Sequence, residues 1–156
     1  MGCGAKSMKN ILIVCLGNIC RSPMGEGLLK QFAIDNSLPL QVSSAGITAM
    51  VGHPADPKAI EIMKKRDIDI SQHAPTQLTQ ELLRQMDLVL VMEEWQKKEI
   101  GCLFPSSYGK VHRLGKWGNF EIPDPYRKPI EQFEASCQLI EQGLRDWQER
   151  LWSKHV

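Results

Sequence analysis

No apolar run in this chain approaches the length that would cross a bilayer, and no stretch reads as a secretion signal. A membrane span is therefore not expected. Charge of one sign is missing too: nineteen Lys and Arg stand against eighteen Asp and Glu, a formal charge of +1. Such a balance provides no broad basic field for a nucleic-acid backbone, so any anion site has to be local. Internal repeats, low-complexity tracts and interdomain linkers are absent, and the length predicts one domain over residues 1–156. The five cysteines, Cys3, Cys15, Cys20, Cys102 and Cys137, are too sparse for a disulfide framework. They fit a reducing compartment, the cytoplasm. The opening MGCGAKS has Lys6 where an N-myristoylation motif requires Ser or Thr, and Met8 looks the more natural start, so residues 1–7 are expected to be a tail or remnant.

What is present alternates between strand and helix signals. ILIV at 11–14 is a continuous β-branched run suited to a strand buried on both faces. After it Ser22 can cap a helix, Pro23 fits its first turn, and Met24, Leu28, Leu29 and Phe32 share a face. Pro39 to Ala45 reads as a second strand, and Asp56 opens a helix lined by Ala59, Ile60 and Met63. Helical signals cover Thr79 to Gln85 and EEWQKKEI from Glu93, while Asp87–Met92 and Lys110–Leu114 read as strands. Gly115 to Pro129, rich in Gly and Pro, must be a loop. Beyond it Phe133, Cys137, Ile140, Leu144, Trp147 and Leu151 recur at steps of three and four, the core stripe of a long closing helix. Four strands separated by helices predict a three-layer α/β/α domain with a parallel sheet. Ligands gather beyond the carboxyl ends of such strands, which directs attention to the loop after the first.

That loop is CLGNICRS, Cys15 to Ser22. Running from a strand end into a helix start, it can turn its N–H groups inward around one anion. Gly17 and Asn18 are residue types that tolerate positive φ in a curled loop. Surrounded by N–H groups and a cation, Cys15 is expected to sit below the ordinary thiol value of about 8.5 and to act as a thiolate nucleophile. Arg21 offers a planar fork for two phosphate oxygens, which lysine does not match. A general acid is also needed, and Asp124, held between Pro123 and Pro125, is the candidate carboxyl.

The stretch VCLGNICRSP, with SSAG at 43–46 and IPDPYRK at 122–128, resembles low-molecular-weight protein tyrosine phosphatases in the order and spacing of all three motifs. The likeness spans Met8 to Trp152. It implies flavodoxin-like topology, no metal or other cofactor, and two-step hydrolysis of phosphotyrosine through a phosphocysteine. Carried onto matching positions, it makes Cys15 the nucleophile, Arg21 the phosphate clamp and Asp124 the acid. Backbone N–H groups from Leu16, Gly17, Asn18, Ile19 and Cys20 would face the phosphate, supported by Ser22, Ser44 and His73. Tyr126 and Met50 would wall the pocket. It further implies a reversible disulfide between Cys20 and Cys15. Met50 on the rim and Arg127, where animal members carry a second tyrosine, resemble bacterial members. Several of those act on autophosphorylated tyrosine kinases in exopolysaccharide export, so the expected partner is such a kinase, with the enzyme a monomer or weak dimer.

Two other readings compete. An arsenate reductase could use the same cradle, but its relay cysteines are wanting between residues 64 and 101, although Cys20 or Cys102 could act. A phosphocarrier or phosphotyrosine reader would need a cradle but not both Arg21 and Asp124.

Overall fold

The computed structural model describes residues 8–152, and the expected tail at 1–7 lies outside the described residues. The ILIV run forms the heart of β1 (Asn10–Cys15), and the VLV run that of β3 (Leu88–Val91). Both strands are central. The sheet is ordered β2-β1-β3-β4, with β2 at Gln41–Gly46 and β4 at Val111–Arg113, and every pairing is parallel. A central parallel strand is covered on both faces, hence its lack of polar alternation.

Side chains of β1 divide between two cores. Ile11 and Ile13 face α1 (Arg21–Asp35), α2 (Pro57–Lys64) and α5 (Ile130–Leu151), packing with Met24, Leu29, Met63, Phe133 and Ile140. Leu12 and Val14 face the other way, towards Leu83 of α3 (Gln80–Arg84) and Ile100 of α4 (Glu94–Leu103). A 3-10 segment at Pro105–Lys110, which carried no periodic signal, leads into β4. This is the flavodoxin-like arrangement, and its switch point falls between β1 and β3, where both strands deliver their carboxyl ends to one rim.

The local chemistry explains the boundaries and corrects some. Asp56 caps α2 by accepting from Lys58 N at 2.9 Å, and Thr79 caps α3 through Leu82 N at 3.1 Å. Ser22 caps nothing: Cys20 occupies the N-cap of α1 without a side-chain cap, and Ser22 is buried inside the first turn. The second strand starts at Gln41, because Pro39 has no N–H to give a ladder. In α2, Ile62 is the fully buried isoleucine and Ile60 only packs at the margin. Trp117 stacks edge-on with Trp147 at 5.4 Å between Lys116 and Arg150, a local packing role.

Arg66, just past α2, ties it to α5. Its guanidinium donates to both Glu134 oxygens at 3.1 and 2.8 Å, to both Glu141 oxygens at 2.9 and 3.2 Å, and to Ile62 O. The bond to Arg66 holds the Glu134 carboxyl below its usual range. Because that value is depressed in the folded state, its stabilisation is present above about pH 4.3 and fades as pH falls further. Arg66→Met is expected to cost about 1–2 kcal/mol at neutral pH, discounted for partial exposure. In urea titrations the gap to the parent should narrow towards pH 3.

Candidate active site

Cys15 ends β1 and Arg21 begins α1, so the loop between them must return on itself above the sheet rim. Asn18 makes the turn, at φ +61°, in the left-handed region that asparagine tolerates. Gly17 does not share that conformation, contrary to the expectation from residue type. Gly46, at the end of β2, is required for a different reason: a Cβ there would come within 2.7 Å of Leu16 O and 3.0 Å of Asn18 N. Glycine thus lets the loop lie directly on the neighbouring strand.

The loop encloses the sulfur. Asn18 N donates to Cys15 Sγ at 3.3 Å, and Ser22 Oγ lies 3.0 Å from it. Asn18 Nδ2 donates to Ser22 Oγ at 2.6 Å and to Ser44 Oγ at 3.0 Å, which leaves the Ser22 proton to point at sulfur. Ser44 Oγ in turn donates to Glu26 Oε1 at 2.5 Å. Asn18 Oδ1 accepts from Thr76 N at 2.8 Å. His73 Nε2 meets Asn18 O at 2.7 Å, and since a carbonyl only accepts, that nitrogen carries a hydrogen. Asn18 and Ser22 within the loop thus bond to Ser44 and His73 behind it, a network that braces its shape.

Arg21 is almost wholly buried and oriented by acceptors from two other segments. Its Nη1 donates to Glu93 Oε2 at 2.6 Å and to Ile122 O at 2.7 Å. Its Nη2 lies 3.7 Å from Asp124 Oδ2. Asp124 is partly exposed and its Oδ1 accepts from Tyr126 N at 3.0 Å, an Asx turn that fixes the carboxyl's direction. Cys15, Arg21 and Asp124 share a cleft of about 270 Å³ with Leu16, Gly17, Ile19, Cys20, Thr48, Met50 and Tyr126. Burial, reinforced by Asp56 and the charges of Cys15 and Asp124, pushes the Cys20 thiol far above its ordinary value. A thiol that keeps its proton is no nucleophile at neutral pH, so Cys20 is not suited to attack. Cys137, in the core, is likewise pushed up to about 12 by burial.

The sequence model of the low molecular weight phosphotyrosine protein phosphatase matches residues 10–156. The chain belongs to that family. A probable low molecular weight protein-tyrosine-phosphatase, EpsP of Ralstonia nicotianae, is 48% identical over 145 residues, 92% of this chain and 97% of its own. Wzb of Vibrio vulnificus, solved in complex with benzylphosphonate, superposes with a TM-score of 0.87 at 39% identity, covering 93% of this chain and all of that one. YwlE, an arginine phosphatase, also reaches a TM-score of 0.87, at 32% identity over 94% of this chain and 97% of its own.

As a low molecular weight phosphatase the chain holds four site contributors that the sequence pattern does not announce. Glu93 looked like an ordinary helix-start carboxylate, and Thr48 had no signal at all. Ile122 contributes a backbone carbonyl, which no side-chain pattern can announce. Glu26 also escaped notice, although its position on α1 one turn past Ser22 placed it on the loop side of the helix.

Proposed function

We propose that this chain, a single phosphatase domain, is a protein tyrosine phosphatase whose reaction passes through phosphate bound to Cys15. The observation that carries the reading is the convergence of Cys15, Arg21 and Asp124 on one cleft. In the first step the Cys15 sulfur, held by Asn18 N and the Ser22 hydroxyl, attacks phosphorus as a thiolate from the side opposite the tyrosyl oxygen. The P–O bond breaks as Asp124 gives its proton to the departing phenolate. Arg21 turns its Nη2 and Nε edge from the 3.7 Å contact with Asp124 to the equatorial oxygens while Nη1 stays on Glu93 and Ile122 O. In the second step Asp124 takes a proton from water, the water oxygen attacks phosphorus, and the S–P bond breaks to release inorganic phosphate.

Leu16, Ile19, Met50 and Tyr126 give the cleft apolar walls suited to a flat ring. Benzylphosphonate, held by the Vibrio relative, is a ring of that type. Phosphoarginine, the substrate class implied by the YwlE likeness, would bring a charged, flexible guanidino chain past these mainly apolar walls, a poorer match than a flat uncharged ring. The phosphotyrosine reading is therefore preferred. The partner we infer is a phosphotyrosine protein, in particular an autophosphorylated bacterial tyrosine kinase linked to exopolysaccharide export, met in the cytoplasm. Among the described residues no helix is long and apolar enough to cross a membrane.

The test is metal-free hydrolysis of p-nitrophenyl phosphate and of a phosphotyrosyl peptide by the parent and by Asp124→Ala. The parent should turn over both. Asp124→Ala should lose about 10²–10³-fold on the peptide and less on p-nitrophenyl phosphate, whose leaving group needs a proton less. A parent inert towards both, yet active on a phosphoarginyl peptide or in arsenate reduction, overturns the assignment.

A further inference from the structure

Gln96, in the first turn of α4, is fully buried, and its Nε2 has no hydrogen-bond acceptor among the described residues. A buried amide with one end unpartnered is a poor space filler, since an apolar side chain would avoid the desolvation cost. The other end is fully engaged. Gln96 Oε1 accepts from Met92 N at 2.9 Å and from Glu93 N at 3.0 Å, pinning the two residues that leave β3.

Those two residues lead to the reacting groups by separate routes. Glu93 sends its carboxylate to Arg21 Nη1 at 2.6 Å. Met92 O accepts from Ile122 N at 3.1 Å, and Ile122 O is the second acceptor of Arg21 Nη1, at 2.7 Å. Asp124 follows Ile122 by two residues. Next in the turn, Glu94 N donates to Glu121 Oε2 at 2.7 Å, a further tie to the same loop. Both acceptors that aim the clamp, and the segment bearing the acid, thus hang on a turn whose N–H groups converge on one oxygen. Ser136 Oγ also donates to Pro123 O at 2.9 Å, so the acid loop has an anchor on α5 that the clamp lacks.

We propose that Gln96 is a positioning residue for the phosphoryl-transfer site, acting through Glu93 and Ile122 on Arg21 and, more weakly, on Asp124. It touches no substrate. The inference rests on the phosphatase reading above, and a displacement of about 1 Å in a clamp of this kind costs about 10–100-fold in rate.

The test compares Gln96→Met, which keeps the bulk and removes the acceptor, with Gln96→Glu, which restores an acceptor oxygen at the same reach. Gln96→Met should lower kcat/KM for p-nitrophenyl phosphate about 10-fold or more and weaken binding of inorganic phosphate by calorimetry, because Arg21 serves both. Gln96→Glu should recover most of both losses. Adding Glu93→Gln to Gln96→Met should cost less than it does in the parent, since both substitutions act along one path. If Gln96→Met does not fold, Gln96→Asn, one methylene too short to reach the turn, is read in its place. Parent-like kcat/KM and phosphate binding with only a lowered Tm would make Gln96 structural and overturn the proposal, as would full multiplicativity with Glu93→Gln. A parent inactive on every aryl phosphate would instead unseat the phosphatase reading, while the phosphate-binding arm still reports on Gln96.

Discussion

Cys15→Ser should fold, bind inorganic phosphate and hydrolyse nothing. Serine fits the place of the sulfur, where its hydroxyl oxygen can still accept from Asn18 N beside Ser22 Oγ, and the Arg21 contacts do not pass through that side chain. Its hydroxyl, however, is a far weaker nucleophile than a thiolate, and the groups that would touch it, Asn18 N and the Ser22 hydroxyl, are not bases. The loss in kcat should be on the order of 10⁴-fold or more. Stopped-flow assays with p-nitrophenyl phosphate measure it, and calorimetry with phosphate verifies that the cradle survives. Residual turnover within tenfold of the parent would remove Cys15 from the reaction.

Arg21→Lys should produce the complementary result, with turnover and phosphate binding failing together. Nη1 is committed to Glu93 and Ile122 O, leaving Nε and Nη2, the latter 3.7 Å from Asp124 Oδ2, for phosphate. An ammonium can keep the Glu93 contact or face the cleft, but a single nitrogen cannot do both with a planar edge. The expected fall in kcat/KM is about 10³-fold, the range seen when a transition-state arginine is lost. Phosphate affinity should drop as well, by at least tenfold on the scale of a lost bidentate pair. If Arg21→Lys retained parent phosphate affinity, the clamp role would have to pass to the loop amides alone.

How far these residues could be read in advance depended on the kind of physics that places them. β1 and β3 were evident because a parallel strand covered on both faces is written as a continuous apolar run. The stripe of α5, Cys137 included, was legible for the matching reason that one helical face supplies the core. Cys15, Arg21 and Asp124 stood out as chemistry-bearing types at motif spacing, and the structure gathers them in one cleft. Ser22 was misplaced as a cap because a serine near a helix start can bond either the backbone or a neighbour; only the position of Asn18 Nδ2 settles which. Gly17 was misassigned since glycine permits a positive φ without demanding one. Glu93 and Gln96 look, in sequence, like a commonplace polar helix entry. Their significance arises from α4 following β3 at the sheet rim, a three-dimensional adjacency with segments from residues 21 and 122 that local pattern does not contain.

Asn18 bonds through its backbone N–H, its carbonyl and both ends of its amide to Cys15, His73, Ser22, Ser44 and Thr76. A knot of that kind has no half-tied form, because releasing one strand frees the turn that presents the others. Damage to this region should therefore reduce the number of competent molecules in a preparation while each survivor keeps its full rate. Partial inactivation would then be a matter of headcount, with the Michaelis constant of the remaining activity unchanged.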